Sequence, residues 1–554
     1  MADVVGMVGR VGFVGKVGVV GVVGTTILPN LLHLPNLPNL PNLLHLPHLP
    51  TSPTPPTKNN NIMASLKSLA KDTVIYGLSS IMARFINYLL VPIQTAKFNA
   101  AGGQYGIITN VYAYVALLII ILTYGMETTF FRFMSKEGED PKKVYSTTLR
   151  TVGTTSFLFA LLVVLFNKQI AGLLGYSDHP EYILIMYVTV AIDAFAAIPF
   201  AYLRYAHRPI KFACLKIMNI VFNITLNVLY LIVLPSLRLN PFGIYDDNFT
   251  LDVIWVFYIN MFCSVATLLL LWKELRGFRF PFDWGTCKRM LSYTWPLLIM
   301  GLAGQLNQCA SQIIFPFVYD GTAAEARTQL GIYGACIKIA MIMVMITQAF
   351  RYAYEPFVFG KVKDKDNKDT YAKAMKYYII FTLLAFLCVM GYMDVLKFIV
   401  GRSYWEGLEI VPIVMAAEIM FGIFFNLSFW YKLTDRTIWG AYFSGIGAVV
   451  LIAIDIIFIP KFSYWACAWA GFISYAVSMI LSYFFGQKYY PINYPLKDIT
   501  LYTVVALIAF AAISVSNACL PLWCALIVNT LLIIAFAVLI AKRDLPQVMA
   551  KLRR

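Results

Sequence analysis

Four ionisable side chains stand well inside apolar runs of this chain: Arg84 near the middle of the first run, Asp193 in the fourth, Lys338 in the eighth and Glu418 in the tenth. In hydrocarbon each costs roughly 2.5–3.5 kcal/mol on insertion scales, so each needs a partner or a wet cavity. Pairing among themselves and contact with a polar cargo account for them equally well. Arg84 is the most informative, because a guanidinium keeps its charge at any reachable pH and presents a planar fork that fits phosphate oxygens. Asn87 and Tyr88 share its helix face. Lys216, Asn219, Asn223 and Asn227 recur at spacings of three and four, drawing a polar stripe down one helix. Gln305, Gln308 and Gln312 repeat the device in the seventh run. Such stripes either line a cavity or hydrogen-bond neighbouring helices. Glu127, at the end of the second run, joins Asp193 and Glu418 as an acidic candidate for coupling or for structure.

Catalytic patterns do not emerge. Beyond residue 62 the histidines are His179 and His207, both between runs, and the nine Cys show neither C-x-x-C nor a Cys/His ligand spacing. There is no nucleophile elbow, carboxylate pair or phosphate-cradling Gly loop, so no enzyme, cofactor or metal is expected.

The elements that must hold these residues are set by composition. The chain of 554 residues is 60% hydrophobic and 13% charged, with a mean hydropathy of +0.71, against roughly 25% charged in a soluble domain. Apolar runs of about 20 residues match a helix crossing hydrocarbon, whereas a membrane barrel would alternate over segments of about 10. The runs fall near 73–93, 107–127, 149–166, 182–203, 212–234, 252–272 and 291–318, then 330–350, 377–393, 407–430, 437–459, 464–485, 499–517 and 521–541. The expected fold is therefore all-α, a polytopic membrane bundle of about 14 transmembrane helices. Pro199, Pro296, Pro316 and Pro412 permit bends within it. The formal charge of +16 does not point to nucleic acid, because Lys and Arg sit in the connections. Alternate connections collect 32 of them against 7, which by the positive-inside rule places both termini in the cytoplasm.

Residues 1–62 are a Val-Gly repeat followed by an Leu-Pro-Asn repeat, read as a mis-called start before Met63 or a disordered extension. A faint internal repeat follows: Gln104-Tyr105-Gly106-Ile107 opens the second run and Gln329-Leu330-Gly331-Ile332-Tyr333 the eighth. Six runs apart, the copies share one orientation, as in parallel repeats that rock about a central cavity. The expected organisation is a six-helix half at 63–285, a second at 286–490, and a terminal helix pair with a basic tail at 491–554.

Longer stretches carry a family likeness. Tyr76-Gly77-Leu78-Ser79-Ser80 with Arg84-Phe85-Ile86-Asn87, and Tyr124-Gly125-Met126-Glu127 with Phe131-Arg132, resemble Wzx-type oligosaccharide flippases. Tyr202-Leu203-Arg204-Tyr205-Ala206-His207-Arg208-Pro209 with Lys211-Phe212, and Trp430-Tyr431-Lys432-Leu433-Thr434-Asp435-Arg436-Thr437, are similar to connections in that family. The likeness runs from about Met63 to the C-terminus. It implies a member of the multidrug/oligosaccharidyl-lipid/polysaccharide exporter superfamily in a bacterial inner membrane, flipping undecaprenyl-diphosphate-linked oligosaccharide by alternating access. It also suggests ion coupling, with H+ or Na+ as the candidate ions, and polysaccharide assembly proteins as candidate partners. Arg84 and Lys338 suit a diphosphate, and Asn, Gln and Tyr suit sugar hydroxyls. A cation exporter of the same superfamily is the rival reading, carried by Asp193 and Glu418, with a membrane-embedded glycan-modifying enzyme and a non-transporting scaffold as further alternatives.

Overall fold

Backbone amides in hydrocarbon must find partners within their own segment, so apolar runs of this length can only become helices. A computed structural model of the chain describes residues 88–552 apart from 247, 361–366 and 435, together with Met82 and Ile86. In chain order its principal helices are α1 (Leu90–Lys97), α2 (Gln104–Thr123), α3 (Met126–Met134), α4 (Pro141–Leu165), α5 (Asn167–Leu173), α6 (Pro180–Tyr205), α7 (Pro209–Val228) and α8 (Ile254–Leu270). They continue with α9 (Trp284–Val318), α10 (Ala323–Gly360), α11 (Asn367–Gly391), α12 (Val411–Leu427), α13 (Phe429–Leu433), α14 (Ile438–Phe462), α15 (Tyr464–Tyr489), α16 (Leu496–Cys519) and α17 (Leu522–Leu552). No strand occurs among the described residues.

Eleven helical segments of the described residues are long and apolar enough to cross a membrane. The three remaining apolar runs fall outside that set for separate reasons. The run at 73–93 is described only in part, that at 252–272 becomes the 17-residue α8, and that at 291–318 becomes the 35-residue α9. Gln305, Asn307, Gln308 and Gln312 make α9 the more polar helix.

Helices extend beyond the apolar runs because their first turns are capped from the loops. Asp140 accepts from the Lys142 amide at 2.9 Å, with Pro141 at the first helical position. Asp283 accepts from the Gly285 and Thr286 amides at 3.3 and 3.0 Å, and the Thr286 hydroxyl also donates to it; these bonds hold its carboxyl below the usual carboxylate range. At the end of α2 the chain turns at Tyr124 and Gly125, with φ of 34° and 74°, before α3 resumes. A side chain at Gly125 would also lie 2.8 Å from Leu297 Cβ, so this corner favours glycine twice over.

The connections with few basic residues gather at one end of the bundle, and there the two halves join. Gly401 donates to Thr95 Oγ1 at 3.0 Å, Ala100 to Ser403 Oγ at 3.2 Å, and Tyr404 to the Phe98 carbonyl at 2.6 Å. Below this, α2 packs on α10 so closely that a Cβ at Gly106 would sit 1.8 Å from the Arg327 carbonyl oxygen. The Gly331 Cβ position is 3.0 Å from the Gly106 nitrogen. The two copies of the sequence repeat thus meet backbone to backbone, the close approach that only glycine permits.

Helix α9 bridges the halves. Its first turns hold the first half, where Arg289 bonds Glu139 at 2.8 Å and Arg132 lies 4.0 Å over the Tyr293 ring. Its later turns hold the second, where Asn307 donates to the Ser444 carbonyl at 2.8 Å. The expected boundary at 286 lies within this helix, which makes contacts on either side of it.

The last two helices are tied to α11 by a charge cluster. Lys376 Nζ reaches Asp498 at 2.7 Å and Asp544 at 2.6 Å, Tyr502 donates to Asp544, and Arg543 bonds Asp498 at 2.7 Å. Lys376 and Asp544 are almost wholly buried. Removing one member strands the other charges, at about 3–5 kcal/mol. Lys376→Ala is expected to loosen α16 and α17 from the bundle, read as faster proteolysis in the 491–495 connection. Wild-type cleavage would refute this.

Candidate functional site

The first half holds its polar residues on the facing sides of α6, α7 and α8. Asp193 and Lys216 lie within electrostatic reach of each other, and the Ser264 hydroxyl bonds the Asp193 carboxylate. Asp193 keeps an accessible edge although neighbouring helices pack around it. Lys216 Nζ stands 4.2 Å from the Phe200 ring centroid. Nearer the basic end, Glu127 pairs with the buried Arg204, whose guanidinium also lies 5.1 Å over Phe131.

The asparagine stripe points mainly at a neighbour. Asn219 donates to Thr267 Oγ1 at 2.7 Å and to the Cys263 carbonyl at 3.1 Å, while Asn223 donates to Asn260 at 3.0 Å. Asn227 is fully buried and donates to the Asn223 carbonyl at 2.8 Å. Asn219 and Asn223 thus fasten α7 to α8, whereas Asn227 bonds back along its own helix and its Oδ1 has no hydrogen bond among the described residues. The glutamine stripe behaves differently. Gln308 is exposed on a cavity wall, and Gln305 and Gln312 are half-buried along the same helix.

In the second half, Lys338 sits on α10 and is reached by no hydrogen bond or ion pair among the described residues. Glu418 on α12 lies within electrostatic reach of Tyr333, Tyr378 and Tyr475. Arg84 and Asn87 lie outside the described residues.

Two features escape a reading of the sequence. The first is Asp455 on α14, fully buried beside the Cys467 thiol, which accepts from Ser311 Oγ on α9 at 2.7 Å while its Oδ1 has no hydrogen bond among the described residues. Its only signal in sequence was a lone carboxylate near the end of an apolar run. The second is a cavity of about 90 Å³ between α9, α12, α14 and α15, with Arg351 and Lys432 on its wall. In sequence both cations fall in connections, where they serve only to orient the chain.

Comparison with known proteins agrees with this architecture. The family model described as polysaccharide biosynthesis protein matches residues 69–354. Curated proteins offer no match. Among solved structures, the lipid II flippase MurJ in an inward closed conformation superposes with a TM-score of 0.66 at 15% identity, covering 85% of this chain and 99% of that one. An inward-facing multidrug resistance MATE family transporter of the MOP superfamily gives 0.58 at 12% identity, over 74% and 97%. The MATE multidrug transporter DinF-BH, in complex with R6G, gives 0.52 at 15%, over 76% and 96%. At these identities the superpositions establish a shared fold, that of a multi-pass helical membrane protein, and the family match covers over half of the sequence. The chain belongs to the polysaccharide biosynthesis protein family and folds as MurJ and the MATE transporters do.

Proposed function

We propose that the protein is a transporter that flips undecaprenyl-diphosphate-linked oligosaccharide from the cytoplasmic to the periplasmic leaflet of a bacterial inner membrane, by alternating access. The observation that carries this reading is Lys338, a cation at membrane depth with no partner among the described residues, in a bundle whose halves meet at the end poor in basic residues. An uncompensated ammonium at that depth costs free energy that an anionic occupant recovers and that loss of its proton otherwise relieves. Both termini are cytoplasmic on this reading, and the junction around Gly106 and Gly331 is the periplasmic seal that parts once per cycle. Arg84 and Lys338 engage the diphosphate, while Gln305, Gln308 and Gln312 follow sugar hydroxyls. On this reading two six-helix halves, 63–285 and 286–490, move about a central cavity with α9 as the helix between them, and the pair at 491–554 rides on the second.

Lys338→Ala is expected to abolish surface glycan while the protein reaches the membrane at its normal level. Alanine relieves the insertion cost of the charge, so misfolding is not the expected cause of a loss. Normal glycan in this variant would sink the role of Lys338.

A cation exporter is the second reading, favoured by Glu418 and Asp455, two carboxylates at depth in the second half. Deleting the gene separates the two. Lipid-linked oligosaccharide accumulating in the inner leaflet supports the flippase, whereas unchanged lipid pools with increased retention of an organic cation such as ethidium support the exporter.

A further inference from the structure

The cavity in the second half lies where cargo would first meet the protein. Helix α10 runs unbroken from Ala323 to Gly360, carrying Arg351 toward the basic end, about 20 Å along the axis from Lys338 at 1.5 Å per residue. Lys432 arrives from α13. The two cations converge on one ring: Arg351 Cζ is 4.1 Å and Lys432 Nζ 4.7 Å from the Phe425 centroid. Between them the wall carries Gln308 from α9 and the hydroxyl of Ser428, while the Asn307 amide on the same wall is spent on Ser444 and Ser474. Neither cation is without other contacts, but a guanidinium with five donors and an ammonium with three, held over one aromatic face beside amide and hydroxyl groups, can share donors with an anion of several oxygens. The volume admits a phosphate and a few waters, not an oligosaccharide.

We propose that this pocket is a docking site for one phosphate of a diphosphate headgroup, with Arg351 and Lys432 as its cationic hosts and Phe425 as the platform that fixes them. The inference rests on the flippase reading and adds a first station to it. A lipid diphosphate in the inner leaflet sits at headgroup depth, level with the basic end of α10, and reaches Arg351 and Lys432 before Lys338. Two cationic stations about 20 Å apart along one helix give the headgroup a path inward.

The test uses the full-length protein in nanodiscs, with undecaprenyl diphosphate and inorganic diphosphate as separate probes and binding followed by thermophoresis. Wild type is expected to bind both. The R351Q/K432Q double variant is expected to weaken both by at least about tenfold, the loss of one or more charge-assisted contacts. K542Q, which removes an exposed cation far along the chain, is expected to bind as wild type does. R351K/K432R keeps both charges and controls for folding, and its retained binding separates a lost host from a collapsed pocket. Wild-type binding in the double variant overturns the docking site and leaves the flippase reading standing. A wild-type protein that binds neither probe overturns the flippase reading itself. One that binds inorganic diphosphate alone assigns the pocket to a soluble anion and overturns the lipid source.

Discussion

Gly106→Ala is expected to reduce surface glycan at least about tenfold at an unchanged level of protein in the membrane, because overpacking a tight helix contact costs about 1–3 kcal/mol. The new methyl would lie 1.8 Å from the Arg327 carbonyl oxygen and 2.7 Å from its carbon. Both belong to helix backbone, which cannot rotate aside, so α2 and α10 must separate. Gly334→Ala is expected to do less. Its methyl meets the Thr109 side chain, Oγ1 at 2.0 Å and Cβ at 2.9 Å, so a shift of one side chain and its Cα suffices where Gly106 needs two helix backbones to part. Gly102→Ala, with nothing within 4 Å, is the control and should behave as wild type. Cys336 supplies a native reporter of the same event. It is fully buried beside this contact and its thiol donates to the Tyr404 carbonyl at 3.3 Å. Gly106→Ala should raise its labelling by a membrane-impermeant maleimide, read on the peptide by mass spectrometry. Normal glycan with unchanged labelling would show that the contact is passive packing.

That contact also shows where the sequence was readable and where it was not. Gln104-Tyr105-Gly106 and Gln329-Leu330-Gly331 were visible as a repeat, because likeness is written along the chain. Their meeting was not, since more than two hundred residues separate them and no local pattern encodes which helix faces which. Run length and charge alternation made the helices legible, for hydrocarbon thickness imposes one period on all of them. The asparagine stripe on α7 was legible as polar and ambiguous in purpose. Its purpose is decided by Thr267 and Asn260 on α8, whose register no single-helix pattern predicts. Arg351 and Lys432 looked like topology charges because the apolar run ends near residue 350, whereas α10 continues to Gly360 and keeps Arg351 on a helix against Phe425. Asp193, Lys216 and Glu418 could be placed at depth from sequence. Which of them find partners is a matter of three-dimensional neighbours.

Asp455 presents the sharpest choice between structure and transport. Its carboxylate is fully buried, one oxygen takes the Ser311 hydroxyl at 2.7 Å, and the other has no hydrogen bond among the described residues, with only the weakly donating Cys467 thiol beside the carboxylate. A half-satisfied carboxylate at membrane depth recovers its desolvation cost only by taking a proton or a small cation, which is what ion coupling requires. Asp455→Asn keeps the size of the side chain and an oxygen for Ser311, while removing the negative charge. Glycan export is expected to fall to the level of a strain lacking the gene. Ser311→Ala, which loses one hydrogen bond of about 1 kcal/mol, should cost roughly fivefold. Replacing Na+ by choline, or collapsing the proton gradient, then identifies the ion by which treatment reproduces the Asp455→Asn defect in wild type. Thermal stability separates the two roles. Neutralising a buried charge without a full set of partners should leave the variant at least as stable as wild type, since a desolvation cost disappears. A carboxylate kept for packing predicts the reverse, a lower melting temperature with export per molecule unchanged. Export at the wild-type rate in Asp455→Asn would end the case for coupling through this residue.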